Sequence, residues 1–375
     1  MKKQLFGWTA AALIFPFFAA EANDKHDAFL KAEKKARYGD YQDMKNAING
    51  LDHPLKPYVE KAFWQRNPSL NHQTEIENFL NIYQNTPLEW PVRKAWLEYL
   101  KKYNKKAAYI RNYRETSNNE LTCPYLSFQL DLGAPEKAIM NQVSDLWVVG
   151  KSQPKECDKL FSLWKKKGYQ TQDRIWQRIS LAAEGGTSSL IPYLKTLLPQ
   201  SEQYLADLYL TVRKDPSAAA GLYRYKKKSA KEGQIALYGV KRLVWRDNDL
   251  ALRAWEKLET MFNYTDEQKA DVYYSFALSL ASNGHQQARF WLNKVPKDRQ
   301  TSKLMQWQLA NMLERQDWSG IVAFFTGKEN LSLGQQYWLA YSLNQRGEVE
   351  RARAIWQTVA KERDYYGFLA SARLG

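Results

Sequence analysis

Apolar residues recur along this chain at helical spacing, and Pro or Gly cuts the pattern at short intervals. Ile76, Phe79, Leu80 and Tyr83 fall at i, i+3, i+4 and i+7, and Trp96, Leu97, Leu100 and Tyr103 line one face in the same way. Breakers at Pro54, Pro68, Pro87, Pro124, Pro135, Pro154, Gly168, Gly185-Gly186, Pro199 and Pro216 delimit helices of about 10–16 residues. Alternating runs of the strand type are scarce. The best, Leu146 to Val149, reads as the end of a helix closing at Gly150. A chain written this way folds as short helices laid against one another, so the fold class expected is all-α.

The helices come in pairs. Ala28, Phe29, Ala32, Ala36 and Tyr38 share a face before a Gly39-Asp40 turn, and Tyr41, Met44, Ala47 and Ile48 continue beyond it to Gly50. Later, Tyr274-Ser275-Phe276-Ala277 leads through Leu278 and Leu280 to Gly284 and Ala288. Tyr337-Trp338-Leu339-Ala340 leads through Leu343 to Gly347 and Ala352. In both, a small residue precedes the turn Gly by the same interval, a second small residue follows it, and a bulky residue (Trp291, Ile355) comes next. This is the logic of a tetratricopeptide-like hairpin: the small residue lets two helices approach, and Gly ends the first of them. Asp247-Asn248-Asp249 supplies a third turn, between Val244-Trp245 and Ala251-Leu252-Ala254-Trp255. The spacing is irregular, so the repeats are degenerate. Stacked hairpins bury a continuous thin core, which predicts a curved α-solenoid. Missing terminal hairpins would leave an apolar end at Tyr365, Tyr366, Phe368 and Leu369, with self-association as the consequence.

Composition supports a folded chain. Hydrophobic residues make up 44% and charged residues 25% of the 375 residues, against global disorder. Gly 18 and Pro 13 exclude collagen-like and low-complexity readings. Trp 14, Tyr 23 and Phe 15 make the chain unusually aromatic. Sugars stack on exposed aromatics, but packing between helices is the reading for most of these rings, because large side chains fill a thin core efficiently.

The first residues read as a targeting segment. Lys2 and Lys3 form a positive region, Leu5 to Phe18 is mostly apolar, and Ala20-Glu21-Ala22 places small residues where a signal peptidase reads them. Cleavage is expected before Asn23, giving a leader at 1–22 and one helical domain over 23–375. The apolar run, interrupted by Pro16, falls short of the ~20 residues a spanning helix needs. The mature chain is expected to be soluble and outside the cytoplasm, with no membrane among its partners once the leader is removed. In an oxidising compartment Cys123 and Cys157 invite one disulfide, two buried thiols being the other reading. A loop of that size would stabilise the fold by roughly 3–4 kcal/mol.

Chemistry-bearing motifs are few. His26, His53, His72 and His285 are isolated, and no HExxH, Gly-rich phosphate loop or GxSxG elbow occurs. No catalytic, cofactor-binding or metal-binding residue is assigned, and no cofactor is expected. Lys+Arg 55 against Asp+Glu 40 gives a net charge of +15. Lys165-Lys166-Lys167 and Lys226-Lys227-Lys228 are the basic clusters, read first as solvated helix ends. Nucleic acid would be the usual partner of such clusters, but export argues against it. An anionic polymer outside the cytoplasm fits better.

One segment is distinctive. Gly150-Lys151-Ser152-Gln153-Pro154-Lys155-Glu156-Cys157-Asp158-Lys159-Leu160-Phe161 resembles the GKSQPxxCDKLF stretch of the soluble lytic murein transglycosylases of the 70-kDa type. Leu51-Asp52-His53-Pro54-Leu55-Lys56-Pro57-Tyr58 is similar to an early segment of that family. Tyr365-Tyr366-Gly367-Phe368-Leu369-Ala370-Ser371-Ala372-Arg373-Leu374-Gly375 resembles its YYGFLAAxRLG-type hairpin end. The resemblance implies that Cys123 and Cys157 are disulfide partners and that the chain matches the family's amino-terminal (U-type) portion, a superhelical, ring-like α-solenoid of short helices. In the family a separate lysozyme-like domain, with ES, GLMQ and AYNAG motifs, cleaves peptidoglycan strands to 1,6-anhydromuramic ends. A single Glu acts as acid and then base, which departs from the usual two-carboxylate scheme. None of those motifs occurs in this chain. The expectation is therefore a periplasmic scaffold, inactive alone, that positions peptidoglycan or docks on other cell-wall enzymes. The rival is a periplasmic protein–protein adaptor of the tetratricopeptide type.

Overall fold

The computed structural model describes the backbone over residues 15–375 and side chains from Lys25 onward. The leader expected at 1–22 therefore lies largely outside the described residues. Among the described residues there are 21 α-helices, seven short 3-10 helices and no strand. None of these helices is long and apolar enough to cross a membrane. The all-α solenoid of short helical hairpins is the observed fold. The breakers read from the sequence fall between helices, with Pro216 opening a 3-10 turn. The exception is Pro124.

Pro124 sits inside the helix Asn119–Asp131 and does not end it. A proline there forfeits one backbone hydrogen bond, to the carbonyl of Glu120. Glu120 is exposed, so water can take that carbonyl. The same turn is held from outside: the Tyr109 hydroxyl donates to Leu121 O at 2.8 Å, and Cys123 is cross-linked. Tertiary ties thus override the local breaker.

The chain divides into two compact units, one ending at Arg178 and the other starting at Ile179. The first opens on the helices Phe15–Tyr38 and Tyr41–Asn49. At their junction the Asp40 carboxylate accepts from Asp43 N at 2.9 Å, while Asp43 accepts from Asp40 N at 3.2 Å. This reciprocal cap satisfies the free N–H groups of the new helix. Gly39 is required beside it, since a Cβ there would lie 2.7 Å from Lys35 O. Ala32, Ala36, Met44, Phe63, Trp64 and Phe79 then join one core with Trp96, Leu97 and Leu100 of the helix Glu89–Lys102.

A buried ion pair fixes that helix. Arg93 is only 2% exposed, bonding Glu89 through Nε at 2.8 Å and donating from Nη1 to Asn112 O at 2.6 Å. Burial lowers the Arg93 pKa, with the Glu89 carboxylate opposing. The pair ties the Glu89–Lys102 helix to the end of the helix Lys106–Asn112.

The second unit carries the clearest hairpins. Asp266–Ser282 pairs with Ala288–Lys294, and Leu333–Gln345 with Val349–Val359. Gly284 and Gly347 take φ of +63° and +82°, the left-handed conformation that glycine reaches without a Cβ penalty. Ala277, Ala340 and Ala352 are fully buried, and Ala288 nearly so. The bulky partner of Ala352 differs from the sequence expectation: Trp356 is buried, while Ile355 packs at the core edge. Residues three and four beyond the small residue share a helix face, and the larger ring takes the inner seat. The Asp247 turn also forms, with its carboxylate accepting from Leu250 N at 2.9 Å. Most tryptophans are packed, as expected, but Trp245 is 50% and Trp90 38% exposed. Tyr365 and Phe368 are each 67% exposed, whereas Tyr366 and Leu369 pack onto the last core cluster.

Removing the Arg93 side chain leaves Glu89 and the Asn112 carbonyl without their buried partner. Arg93→Ala is expected to lower unfolding stability by about 3–5 kcal/mol. Urea denaturation followed by circular dichroism measures this, and a loss below about 1 kcal/mol would mean that the pair behaves like a surface one.

Candidate functional site

Cys123 and Cys157 are joined by a disulfide with their Cα atoms 5.0 Å apart, and both are fully buried. The bond ties the helix Asn119–Asp131 to the segment leading into the helix Asp158–Lys166. Between them runs Gly150–Pro154, the most distinctive stretch of the sequence. Gln153 does its local work there. Its Oε1 accepts from Asn119 Nδ2 at 2.8 Å, and its Nε2 donates to Leu146 O at 2.9 Å. One amide thus clamps the start of one helix to the end of Glu136–Trp147.

Beside the clamp lies a cleft of about 620 Å³. On one side Tyr113 and Tyr125 stack on each other, with ring centroids 3.9 Å apart and planes inclined by 13°. Both are half-buried. The Tyr113 hydroxyl is hydrogen-bonded to Thr122 Oγ1 at 2.9 Å, and the Tyr125 hydroxyl accepts from Gln129 Nε2 at 3.1 Å. Burial pushes the Tyr113 pKa up, with the Thr122 bond partly opposing, so this phenol stays neutral at ordinary pH. Opposite, the helix Glu136–Trp147 turns Met140, Val143 and Trp147 inward and leaves Asn141, Gln142 and Asp145 outward. Spacings of three and four put those polar groups on one face. Gln142 and Asp145 line the cleft with Asn119. Asp145 also lines a neighbouring hollow of about 660 Å³, with Asn141, Asp173, Arg174 and Gln177.

The wall is stiff. Trp164 Nε1 donates to Ser144 Oγ at 2.9 Å, and Ser144 Oγ donates to Met140 O at 2.9 Å. Trp147 and Trp164 pack at 5.1 Å, and the Arg178 guanidinium lies 4.6 Å from the Trp147 ring centre. An aromatic floor beside amides, hydroxyls and carboxylates suits a polar, extended ligand with apolar faces, such as a sugar chain.

Three of the histidines do structural work. His53 stacks on Phe29 and its Nδ1 accepts from Leu55 N at 3.1 Å. His72 stacks on Tyr41, and His285 bonds Asp249 while its Nδ1 accepts from Gln287 N. Among the described residues no group of three or more His, Cys, Asp or Glu is placed to hold a metal ion. Lys165 and Lys166 lie in the last turn of their helix, where cations suit the dipole, and Lys167 pairs with Glu136 at 2.9 Å. The tyrosine stack and the Gln153 clamp were missed from sequence. Tyr113 and Tyr125 sit in no regular stripe, and Gln153 belonged only to a motif, with its helix-start partner Asn119 lying 34 residues upstream.

No family model matches the chain. It is 24% identical over 334 residues to the soluble lytic murein transglycosylase of Escherichia coli K12, and 25% over 333 residues to that of Salmonella typhimurium. Each match covers 86% of this chain and 51% of the relative, so the chain spans about half the length of the curated relatives it matches. Among solved structures, an inactive mutant of the lytic transglycosylase Slt from Pseudomonas aeruginosa superposes with a TM-score of 0.79 at 25% identity. That match covers 92% of this chain and 57% of the other. The 70-kDa soluble lytic transglycosylase of Escherichia coli gives 0.74 at 20% identity over 94% of this chain and 58% of its own, a likeness of fold. The family resemblance read from the sequence holds across most of the chain.

The disulfide closes a loop of 34 residues that includes the cleft's polar helix. Replacing both cysteines by serine is expected to lower stability by about 3–4 kcal/mol, read as a shift in the guanidinium unfolding midpoint. An unchanged midpoint would show that packing alone holds the loop.

Proposed function

We propose that this chain, similar to the helical portion of the soluble lytic murein transglycosylases, is a periplasmic scaffold that holds peptidoglycan strands. The tyrosine-floored cleft beside Gln153 is the observation that carries the reading. An N-acetylated sugar offers an apolar ring face to Tyr125 or Tyr113, and acetamido and hydroxyl groups to Asn119, Gln142 and Asp145. The cross-linked, doubly clamped walls supply pre-organisation, so little ordering cost is left to binding. The net charge of +15 favours encounter with a wall whose peptide stems carry carboxylates.

Export to the periplasm is part of the proposal. The leader-like start and the disulfide both fit an oxidising compartment. The relatives named above are murein transglycosylases, and the ES, GLMQ and AYNAG motifs of that family's chemistry do not occur in this sequence. The role proposed here is therefore positioning of the glycan rather than its cleavage. Retention of the strand near the enzymes that cut it would be the physiological consequence.

Purified chain mixed with washed sacculi should sediment with them more than a control protein of equal charge. Tyr125→Ala should weaken that retention about tenfold, or ~1.4 kcal/mol, measured at a temperature where circular dichroism shows the variant still folded. No retention above the control would sink the glycan-holding role, and capture of cell-wall proteins without sacculi would favour the adaptor role instead.

A further inference from the structure

The second unit carries a loop whose construction the peptidoglycan cleft does not explain. The segment Gly221–Lys231 contains Tyr223, Arg224, Lys226, Lys227, Lys228 and Lys231, and no Asp, Glu, Asn or Gln. It runs into the helix Ala230–Leu243, whose third residue is Glu232. Glu232 is fully buried. Its carboxylate accepts from Lys227 N at 3.2 Å, Ser229 N at 2.8 Å and the Tyr204 hydroxyl at 3.2 Å. A buried carboxylate is costly unless hydrogen-bonded, and here its bonds go to the backbone of a lysine loop. The other end is anchored by Tyr225, 3% exposed, whose hydroxyl donates to Ala219 O at 3.0 Å.

Between those anchors the loop is held in an unfavourable shape. Lys228 has φ of +50°, a left-handed conformation that side-chain-bearing residues seldom adopt. Such a conformation persists only when its surroundings impose it, and it points to what the loop presents. Two of its cations are engaged: Lys231 pairs with Glu202 at 2.7 Å, and Lys227 Nζ donates to Ser201 O at 3.1 Å. Lys226 and Lys228 are exposed, and neither has an acidic partner among the described residues. Next to them Tyr223 is 75% exposed, with the Arg224 guanidinium 5.0 Å from its ring centre.

We propose that the Tyr223–Lys228 loop docks on an anionic phospholipid bilayer. The surface is a single exposed aromatic flanked by unneutralised cations. Tyrosine favours the headgroup level of a membrane interface. Lysines beside it reach lipid phosphates while their stems cover apolar surface. Neutral sugar hydroxyls offer these cations no counter-charge, whereas lipid phosphates do. The loop is thus distinct from the cleft, and the inference stands without the peptidoglycan reading. Scaffold and bilayer would be held together by a reversible, salt-sensitive contact.

Co-sedimentation of the full chain with phosphatidylcholine vesicles, with and without phosphatidylglycerol, tests this. Binding is expected only where phosphatidylglycerol is present, and it should fall as salt is raised. The Lys226→Gln/Lys228→Asn double variant should bind about 25-fold more weakly, about fivefold for each lysine. Asn tolerates the left-handed backbone at 228, so the variant should melt like the parent. Tyr125→Ala should leave vesicle binding intact. No binding, equal binding to neutral vesicles, or binding unchanged in the double variant would overturn the proposal. So would a double variant that loses sacculus retention and keeps vesicle binding.

Discussion

Among the described residues no helix stands alone. Most of them run 7–14 residues, where an isolated helix is marginal in water even with favourable residues. What stabilises each one is the burial of its apolar stripe against its hairpin partner and the adjoining hairpins of the same unit. Small residues at the contact decide how closely the axes approach. Ala277 and Ala340 are fully buried where a larger side chain would push the pair apart. The aromatics follow from the same constraint. A core only two helices thick has little volume per residue, and Trp96, Trp164 and Trp255 fill it with few side chains.

Apolar stripes alone would leave the hairpins free to slide, and buried polar groups set the register. Arg93 reaches Asn112 O, Tyr109 reaches Leu121 O, and Trp164 reaches Ser144. Each bond joins neighbouring helices in a place where an unmatched partner would be left dry. The penalty for misplacement is therefore larger than the gain from correct placement. That asymmetry is what converts a loosely patterned set of helices into one arrangement.

The hairpin fold was legible because period and punctuation are local signals. The Gly284 and Gly347 turns, the small residues around them and the Asp247 cap could all be read within a few residues of each other. Errors came where a distant partner intervened. Pro124 reads as a stop, yet the Tyr109 hydroxyl and the Cys123 cross-link carry the helix past it. Ile355 reads as the core residue, yet Trp356 is one step further round and larger. Trp245 has a core-like composition and an exposed position, because its hairpin turn leaves it facing solvent. The candidate cleft was hardly legible at all. Its two tyrosines lie on different elements, and its clamp depends on an amide 34 residues from its partner Asn119.

Two polar residues stand apart because they hold loops in place as well as tying helices together. Gln153 commits both ends of its amide to holding Gly150–Pro154 against the cleft wall. Glu232 commits a fully buried carboxylate to holding the Lys226–Ser229 turn. Either segment could have been a short solvated connection, like the simple Gly turns elsewhere in the chain. A buried charge and a strained Lys228 are poor ways to gain stability, since apolar packing would serve a plain connector better. Their presence makes sense if what the loops display is under constraint: hydrogen-bonding groups at the first, cations around a tyrosine at the second. The array of hairpins supplies rigidity, and its specificity lies in the few connections that buried polar groups hold still.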